Sequence, residues 1–201
     1  PLMPPLSSTG PTAQIASPDG RYMAVAHWGG NTVGLIDISS SEPAAFAPAG
    51  LVVIGSTEPP AGSEGMDRDR ECGLCVRGLG WTRDSKVLFA GCMGGTGGVA
   101  VIAVSGVNGP ALSGRVQIGG KPRDLAVSPD GEWLYAASGA AGTVIKARVA
   151  DVIRAAHAGD GAPVRFSSVA VGGAPRSMRL SPDGKWIFIA LNADSQVAAV
   201  D

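Results

Sequence analysis

The sequence predicts an all-β chain folded as a β-propeller, with three complete four-stranded blades and a partial fourth forming an arc of a larger ring. Three observations carry this reading. A turn of the form Ser-Pro-Asp-Gly begins at Ser17, Ser128 and Ser181, with a worn copy, Thr-Arg-Asp-Ser, at Thr82. The copies lie 65, 46 and 53 residues apart, close to the period of about fifty residues at which one four-stranded unit must stack on its neighbours to bury both faces. Short β-branched or aromatic runs flank each turn and are bounded by Gly, Pro, Asp and Ser, the pattern of antiparallel meanders.

The turn itself has a mechanism. Proline sets φ at the first central position, aspartate tolerates the second, and glycine supplies the positive φ that closes the hairpin. Asp19, Asp84, Asp130 and Asp183 are therefore read as turn residues rather than as a ring of catalytic carboxylates. The third copy is the clearest, with strands expected over 125–127, 133–138, 143–149 and 164–171. The blade units fall at about 11–56, 72–118, 119–171 and 172–201, the last stopping after its third strand. An outermost strand drawn from Leu2, Met3 and Leu6 would complete that blade, although three prolines in the first five residues make it a poor one.

Composition narrows the partners. The chain of 201 residues carries 16 Lys and Arg against 17 Asp and Glu, a net charge of -1 that gives no electrostatic reason to expect nucleic acid or an anionic membrane. No apolar run approaches the ~18 residues of a membrane span. Thirty glycines and fifteen prolines fit a turn-rich fold. The chain begins at Pro1, as an excised or processed piece would, so no targeting signal can be read.

Two insertions interrupt the repeat. Residues 55–71 hold five acids and two bases in a Gly- and Pro-rich loop, which is either a solvated loop or a flap over the channel. Residues 150–158 read as a helix of about two turns on the opposite face, with His157 near its C-terminal end as a surface residue.

Numbering each copy from its Ser or Thr aligns two further positions. Five residues before stand Thr12, Arg77, Arg123 and Arg176, preceded by Pro11, Val76, Pro122 and Pro175. The innermost strand of each blade begins there, so three guanidiniums are expected near one mouth of the central channel, where they would bind a carboxylate, a phosphate or an acidic loop. The competing reading is a structural arginine in each blade. Ten residues after stand His27, Cys92, Ser138 and Leu191.

The segments GGKPRDLAVSPDGEWLYAAS (119–138) and GGAPRSMRLSPDGKWIFIAL (172–191) resemble the repeat of the YVTN-type β-propellers, and AHWGGNTVGLIDIS (26–39) is similar to its third-strand sequence. The resemblance covers nearly the whole chain outside the insertions. It implies the propeller fold and a periplasmic or secreted location; the activity stays open, because similar repeats occur in binding proteins, in lactonases and in periplasmic redox enzymes.

Three readings stand for the thiols. Export, implied by the resemblance, favours a disulfide, within Cys72-Gly-Leu-Cys75 or from Cys75 to Cys92. If the second turn is residues 82–85, Trp81 opposes Lys86 and Cys75 opposes Cys92. Cys72, Cys75, Cys92 and His27 would otherwise form a zinc site, or the thiols are free. Val76 after Cys75 rules out a covalently attached c-type haem.

No Gly-x-Ser-x-Gly elbow, His-Glu-x-x-His or phosphate-binding Gly-x-x-x-x-Gly-Lys is present. The sequence therefore reads as a non-catalytic binding or scaffold module, recognising an anionic small molecule or an acidic protein segment at the channel face, with no cofactor. The alternative is the propeller portion of an extracytoplasmic lactonase-like hydrolase or redox enzyme whose catalytic ligands lie partly outside this chain. Glu71 and Asp124 are possible contributors to a calcium site in that case. Further blades or a partner chain would be needed to close the ring.

Overall fold

The computed structural model describes residues 10–55, 75–106, 108–159 and 162–201. Blade 1 is β1 (Pro11–Ala16), β2 (Tyr22–His27), β3 (Thr32–Asp37) and β4 (Ala47–Val53), and blade 2 is β5 (Val76–Trp81), β6 (Val87–Cys92), β7 (Val99–Ala103) and β8 (Ala111–Gln117). Blade 3 takes β9 (Pro122–Val127), β10 (Trp133–Ser138), β11 (Thr143–Arg148) and β13 (Phe166–Ala170). Blade 4 takes β14 (Pro175–Leu180), β15 (Ile187–Leu191) and β16 (Gln196–Val200). Within each blade the strands pair antiparallel in a meander. The innermost strands β1, β5, β9 and β14 adjoin in that order, and the four blades form an arc of a β-propeller, an incomplete ring.

Each turn builds the same small network. In blade 1 the Ser17 hydroxyl donates to Asp19 Oδ1 at 2.5 Å and accepts the Tyr22 N–H at 2.9 Å, while Asp19 Oδ1 also accepts the Arg21 N–H at 3.1 Å. Ser128 with Asp130, Ser181 with Asp183, and Thr82 with Asp84 repeat it. Gly20, Gly131 and Gly184 take φ of 71°, 80° and 71°. The worn copy puts Ser85 there at φ 59°, which an L-residue adopts only against strain. Its hydroxyl accepts the Asp19 N–H at 3.1 Å, so the same residue ties the turns of blades 1 and 2 together.

These networks hold the carboxylates of Asp19, Asp84, Asp130 and Asp183 below the ordinary 3.8, first through the Ser or Thr hydroxyl and then through a backbone N–H. A folded value below the unfolded one stabilises the fold above the unfolded value and is lost as pH falls through the folded one. The melting temperature is therefore expected to drop as pH is lowered from about 5 downward, and Asp130→Asn to flatten that drop. Melting curves from pH 7 to pH 2 that coincide for wild type and variant would contradict this.

Three apolar layers lie between successive blades. Ala24, Ala26, Val33 and Leu35 meet Leu79, Trp81 and Leu88 between blades 1 and 2. Phe89, Val99 and Val101 meet Leu125, Leu134 and Ile145 between blades 2 and 3. Tyr135, Ala137 and Val144 meet Met178, Ile187 and Ile189 between blades 3 and 4. Stacked blades are wedges, so the space between them closes toward the axis. There the contact is backbone on backbone: a Cβ built on Gly78 would lie 2.6 Å from the Cα of Asp124. Toward the rim the wedge widens, and α1 (Val149–Ala158) fills it with Val149, Val152 and Ala156.

The outer part of blade 3 departs from the expected single strand over 164–171. Ala162–Pro163 (β12) pairs parallel with β8 of blade 2, the Val164 N–H reaches Gln117 O at 3.1 Å, and only Phe166–Ala170 joins β11. The helix displaces the chain outward, so its return crosses the neighbouring blade's edge first. His157 is exposed in the last turn of α1. The expected edge strand through Leu2, Met3 and Leu6 lies outside the described residues, as does residues 56–71 of the acidic insertion.

Candidate functional site

All four innermost strands carry a bulge at the same register position. Pro11 pairs with His27 but Ala13 with Ala26, leaving Thr12 over. Pro122 pairs with Ser138 but Asp124 with Ala137, leaving Arg123 over. Pro175 pairs with Leu191 but Ser177 with Ala190, leaving Arg176 over. In blade 2 the shift falls between Val76 and Leu79, at Arg77 and Gly78. Proline has no N–H to give to the ladder, so the regular pairing lapses where Pro11, Pro122 and Pro175 open their strands. A bulge bends the strand and re-aims its side chain.

The three bulged arginines line one groove of ≈ 630 Å³ along the channel, bounded by the innermost strands of all four blades. Arg179 and Asp124 also line it, so among the described residues four guanidiniums face one carboxylate. The arginines differ in their surroundings. Arg77 lies over the Trp28 ring at 5.1 Å, a cation–π contact that fixes its direction. Arg123 is half-buried beside Gly139 of the β10–β11 turn, and its buried Nε donates to none of the described groups. Arg176 is exposed.

Among the described residues Asp124 is the one acid lining this groove. Its Oδ2 accepts the Met178 N–H at 2.8 Å, its Oδ1 accepts the Leu125 N–H at 3.0 Å, and Arg179 Nη1 lies 3.4 Å from Oδ2. Burial nevertheless raises its pKa above 3.8, because the N–H bonds and the charges of Arg179 and Arg77 offset only part of the desolvation. The carboxylate thus pins blade 4 to blade 3. With its oxygens engaged by donors it is poorly disposed to hold calcium, and Glu71 lies outside the described residues.

The thiol end of blades 1 and 2 resolves differently from expectation. The second turn is closed by the Thr82 N–H to Val87 O at 2.9 Å, which makes it wider than four residues. Trp81 therefore pairs with Leu88 rather than Lys86, and Cys92 faces Val76 rather than Cys75. Cys92 is a free thiol, so the Cys75 to Cys92 bridge is not formed. Burial pushes its pKa up to about 11, leaving it protonated and unreactive at neutral pH. The other expected pairing involves Cys72, which is outside the described residues.

His27 is 3% exposed, with Nδ1 3.0 Å from the Thr32 hydroxyl, and burial lowers its pKa. Among the described residues no group of three or more His, Cys, Asp or Glu could hold a metal ion. Blades 1 and 2 are instead joined here by Asn31, whose Oδ1 accepts the Cys75 N–H at 3.0 Å. Asn31, Trp28 and the joining role of Asp124 were not read from the sequence: each acts across blades on a partner far away in the chain.

No family model matches the sequence, and no curated protein does. Solved structures do. Hydrazine synthase of Kuenenia stuttgartiensis superposes with a TM-score of 0.69 at 18% identity, covering 97% of this chain and 47% of the other. A candidate 6-phosphogluconolactonase of Bacteroides uniformis gives 0.62 at 18% identity, covering 91% and 54%. The periplasmic gluconolactonase of Pseudomonas aeruginosa gives 0.56 at 19%, covering 85% and 45%. The likeness is one of fold. The chain spans about half the length of these structures, and among its described residues no helix is long and apolar enough to cross a membrane.

Proposed function

We propose that this propeller arc is an extracytoplasmic binding module that holds an anionic small molecule in the channel groove, with carboxylate or phosphate oxygens facing Arg123 and Arg176. The observation that carries the reading is the shared bulge, which places an arginine at the same channel position in three of four blades. The buried Nε of Arg123 supports it, since a donor left without an acceptor costs ~1–3 kcal/mol, a cost that a ligand oxygen would remove. Arg77, held by Trp28, adds fixed positive charge behind them. The four guanidiniums lining the groove favour an anion over a cation.

Calorimetric titration with 6-phosphogluconate, citrate and inorganic phosphate at low salt tests this. Arg123→Ala is expected to weaken binding ~10-fold or more, the worth of one charge-assisted hydrogen bond. Arg123→Lys, which keeps the charge but loses the two-pronged geometry, should recover only part. Unchanged affinity in Arg123→Ala together with lower thermal stability would assign the arginine to structure instead.

A second reading, a lactonase-like hydrolase, is favoured by the likeness in fold to two lactonase-type propellers. On this chain it would use Asp124, the one carboxylate lining the groove among the described residues and one whose pKa is raised by burial. Hydrolysis of gluconolactone above the spontaneous rate, abolished in Asp124→Asn, would establish it. A rate equal to buffer alone leaves the binding module.

A further inference from the structure

The position that follows each bulge breaks the repeat in one blade. Four residues before the turn Ser or Thr stand Ala13, Gly78, Asp124 and Ser177, so blade 3 alone puts a charge there. Its strand β9 lies between β5 and β14, and the backbone of β5 comes so near that a Cβ on Gly78 would meet the Asp124 Cα at 2.6 Å. The Asp124 side chain keeps 18% of its exposure, whereas that of Arg179 opposite keeps 82%. The Leu125 and Met178 N–H groups hold its two oxygens. The charge is thus fixed inside the groove and cannot turn out into water.

Among the described residues, the charged groups that line the groove with this carboxylate are all cations: Arg77 from β5, Arg123 beside it on β9, and Arg176 and Arg179 from β14. Its ladder partner on β10 is Ala137. Neither β10 nor β6, which also packs on β9, carries a charged residue, and β1 brings only the neutral polar groups Thr12 and Gln14 to the groove. Burial nonetheless favours the neutral carboxyl over the ionised one more than Arg179 and Arg77 oppose it, so the proton is held above the ordinary 3.8. A neutral carboxyl still accepts the Met178 N–H through its carbonyl oxygen. Protonation therefore removes charge from the groove without unfastening blade 4.

We propose that Asp124 is a built-in competitor of the anion in this groove: ionised, it takes up part of the arginine charge and repels the ligand, and on accepting one proton it leaves all four guanidiniums to the ligand. The inference rests on the anion-binding reading and adds proton coupling to it. Its sign follows from the charges. Protonation strengthens binding, so affinity rises as pH falls through the folded value of Asp124, and by reciprocity each bound anion draws proton onto that carboxyl. Charges inside a groove are screened far less by salt than exposed ones, so the coupling acts at ordinary ionic strength. The module would take up its ligand in mildly acidic surroundings and release it as pH rises.

Calorimetric titration with inorganic sulfate, which stays a dianion throughout, in two cationic buffers of unlike ionisation heat reads affinity and proton uptake together. Between about pH 7 and about pH 4.5 the wild type is expected to tighten ~5-fold or more, the lower end of couplings between sites, with net proton uptake. Asp124→Asn should bind with the tighter affinity already at neutral pH and lose that uptake. Arg179→Gln, at an exposed position, should weaken binding and move the uptake to higher pH, because a cation that favours the ionised carboxylate is gone. Wild-type sulfate binding that neither tightens nor takes up protons overturns the inference without any variant. The same pH dependence and uptake in wild type and Asp124→Asn would also overturn it, and both results leave the binding module standing. Sulfate bound by neither protein at any pH would overturn the anion-binding reading as well.

Discussion

Gly78→Val is expected to destabilise the fold by ~3 kcal/mol or more, at or beyond the upper end of what forced packing costs, and Gly78→Ala by ~1–3 kcal/mol. Gly78 lies on β5 where it passes closest to β9. A Cβ there would sit 2.6 Å from the Cα of Asp124 and 2.8 Å from both its carbonyl carbon and the Leu125 nitrogen. These are backbone atoms of another strand, so no side chain can swing aside. Relief requires β5 and β9 to separate, and that motion would also pull Asp124 away from the Met178 N–H on β14. Thermal unfolding read by circular dichroism checks it, at ~2–4 °C per kcal/mol for a chain of this size. Gly20→Ala serves as the comparison, since nothing lies within 4 Å of a Cβ at Gly20 and only its φ of 71° resists. A Gly78→Ala protein that melts with the wild type would show that the blades do not approach as described.

Phe89→Ala is expected to cost ~3–5 kcal/mol, the range for emptying an aromatic site in a packed core. Phe89 is 0% exposed and sits between blades 2 and 3 with Val101, Leu125 and Leu134. The cavity cannot collapse easily, because β6 is held by β5 on one side and β7 on the other. Phe89→Leu keeps most of the volume and should cost much less. Urea unfolding checks both, and the midpoint rather than the slope should move. A Phe89→Ala loss under ~1 kcal/mol would mean that the layer between blades 2 and 3 is not closely packed.

Much of this architecture was legible in the chain because its information is local. The turn's Ser, Asp and Gly act on atoms within five residues, and the observed bonds from Ser17 to Asp19 and Tyr22 are of that kind. The alignment of Thr12, Arg77, Arg123 and Arg176 was also legible, since equal distance from the turn places them at equal height on their strands. That each sits on a bulge was not read from the sequence; the prolines before three of them, each a missing ladder donor at a strand start, carry that signal, but Arg77 follows Val76 and bulges without one. The register of the thiols was not. It depended on the true width of the turn at Thr82 and on the bulge at Arg77, and the two together moved Cys92 from Cys75 to Val76.

The sequence by itself determined the repeat, the turns, the strand order within blades and the arginine register, because each follows from hydrogen bonds and side-chain alternation within a few dozen residues of one another. Only the tertiary structure decided that Asp124 fastens β14, that Trp28 aims Arg77, and that Asn31 accepts the Cys75 N–H across blades 1 and 2. These depend on how one wedge meets the next. That meeting is set by backbone approach and packing between residues tens of positions apart, which no single repeat encodes.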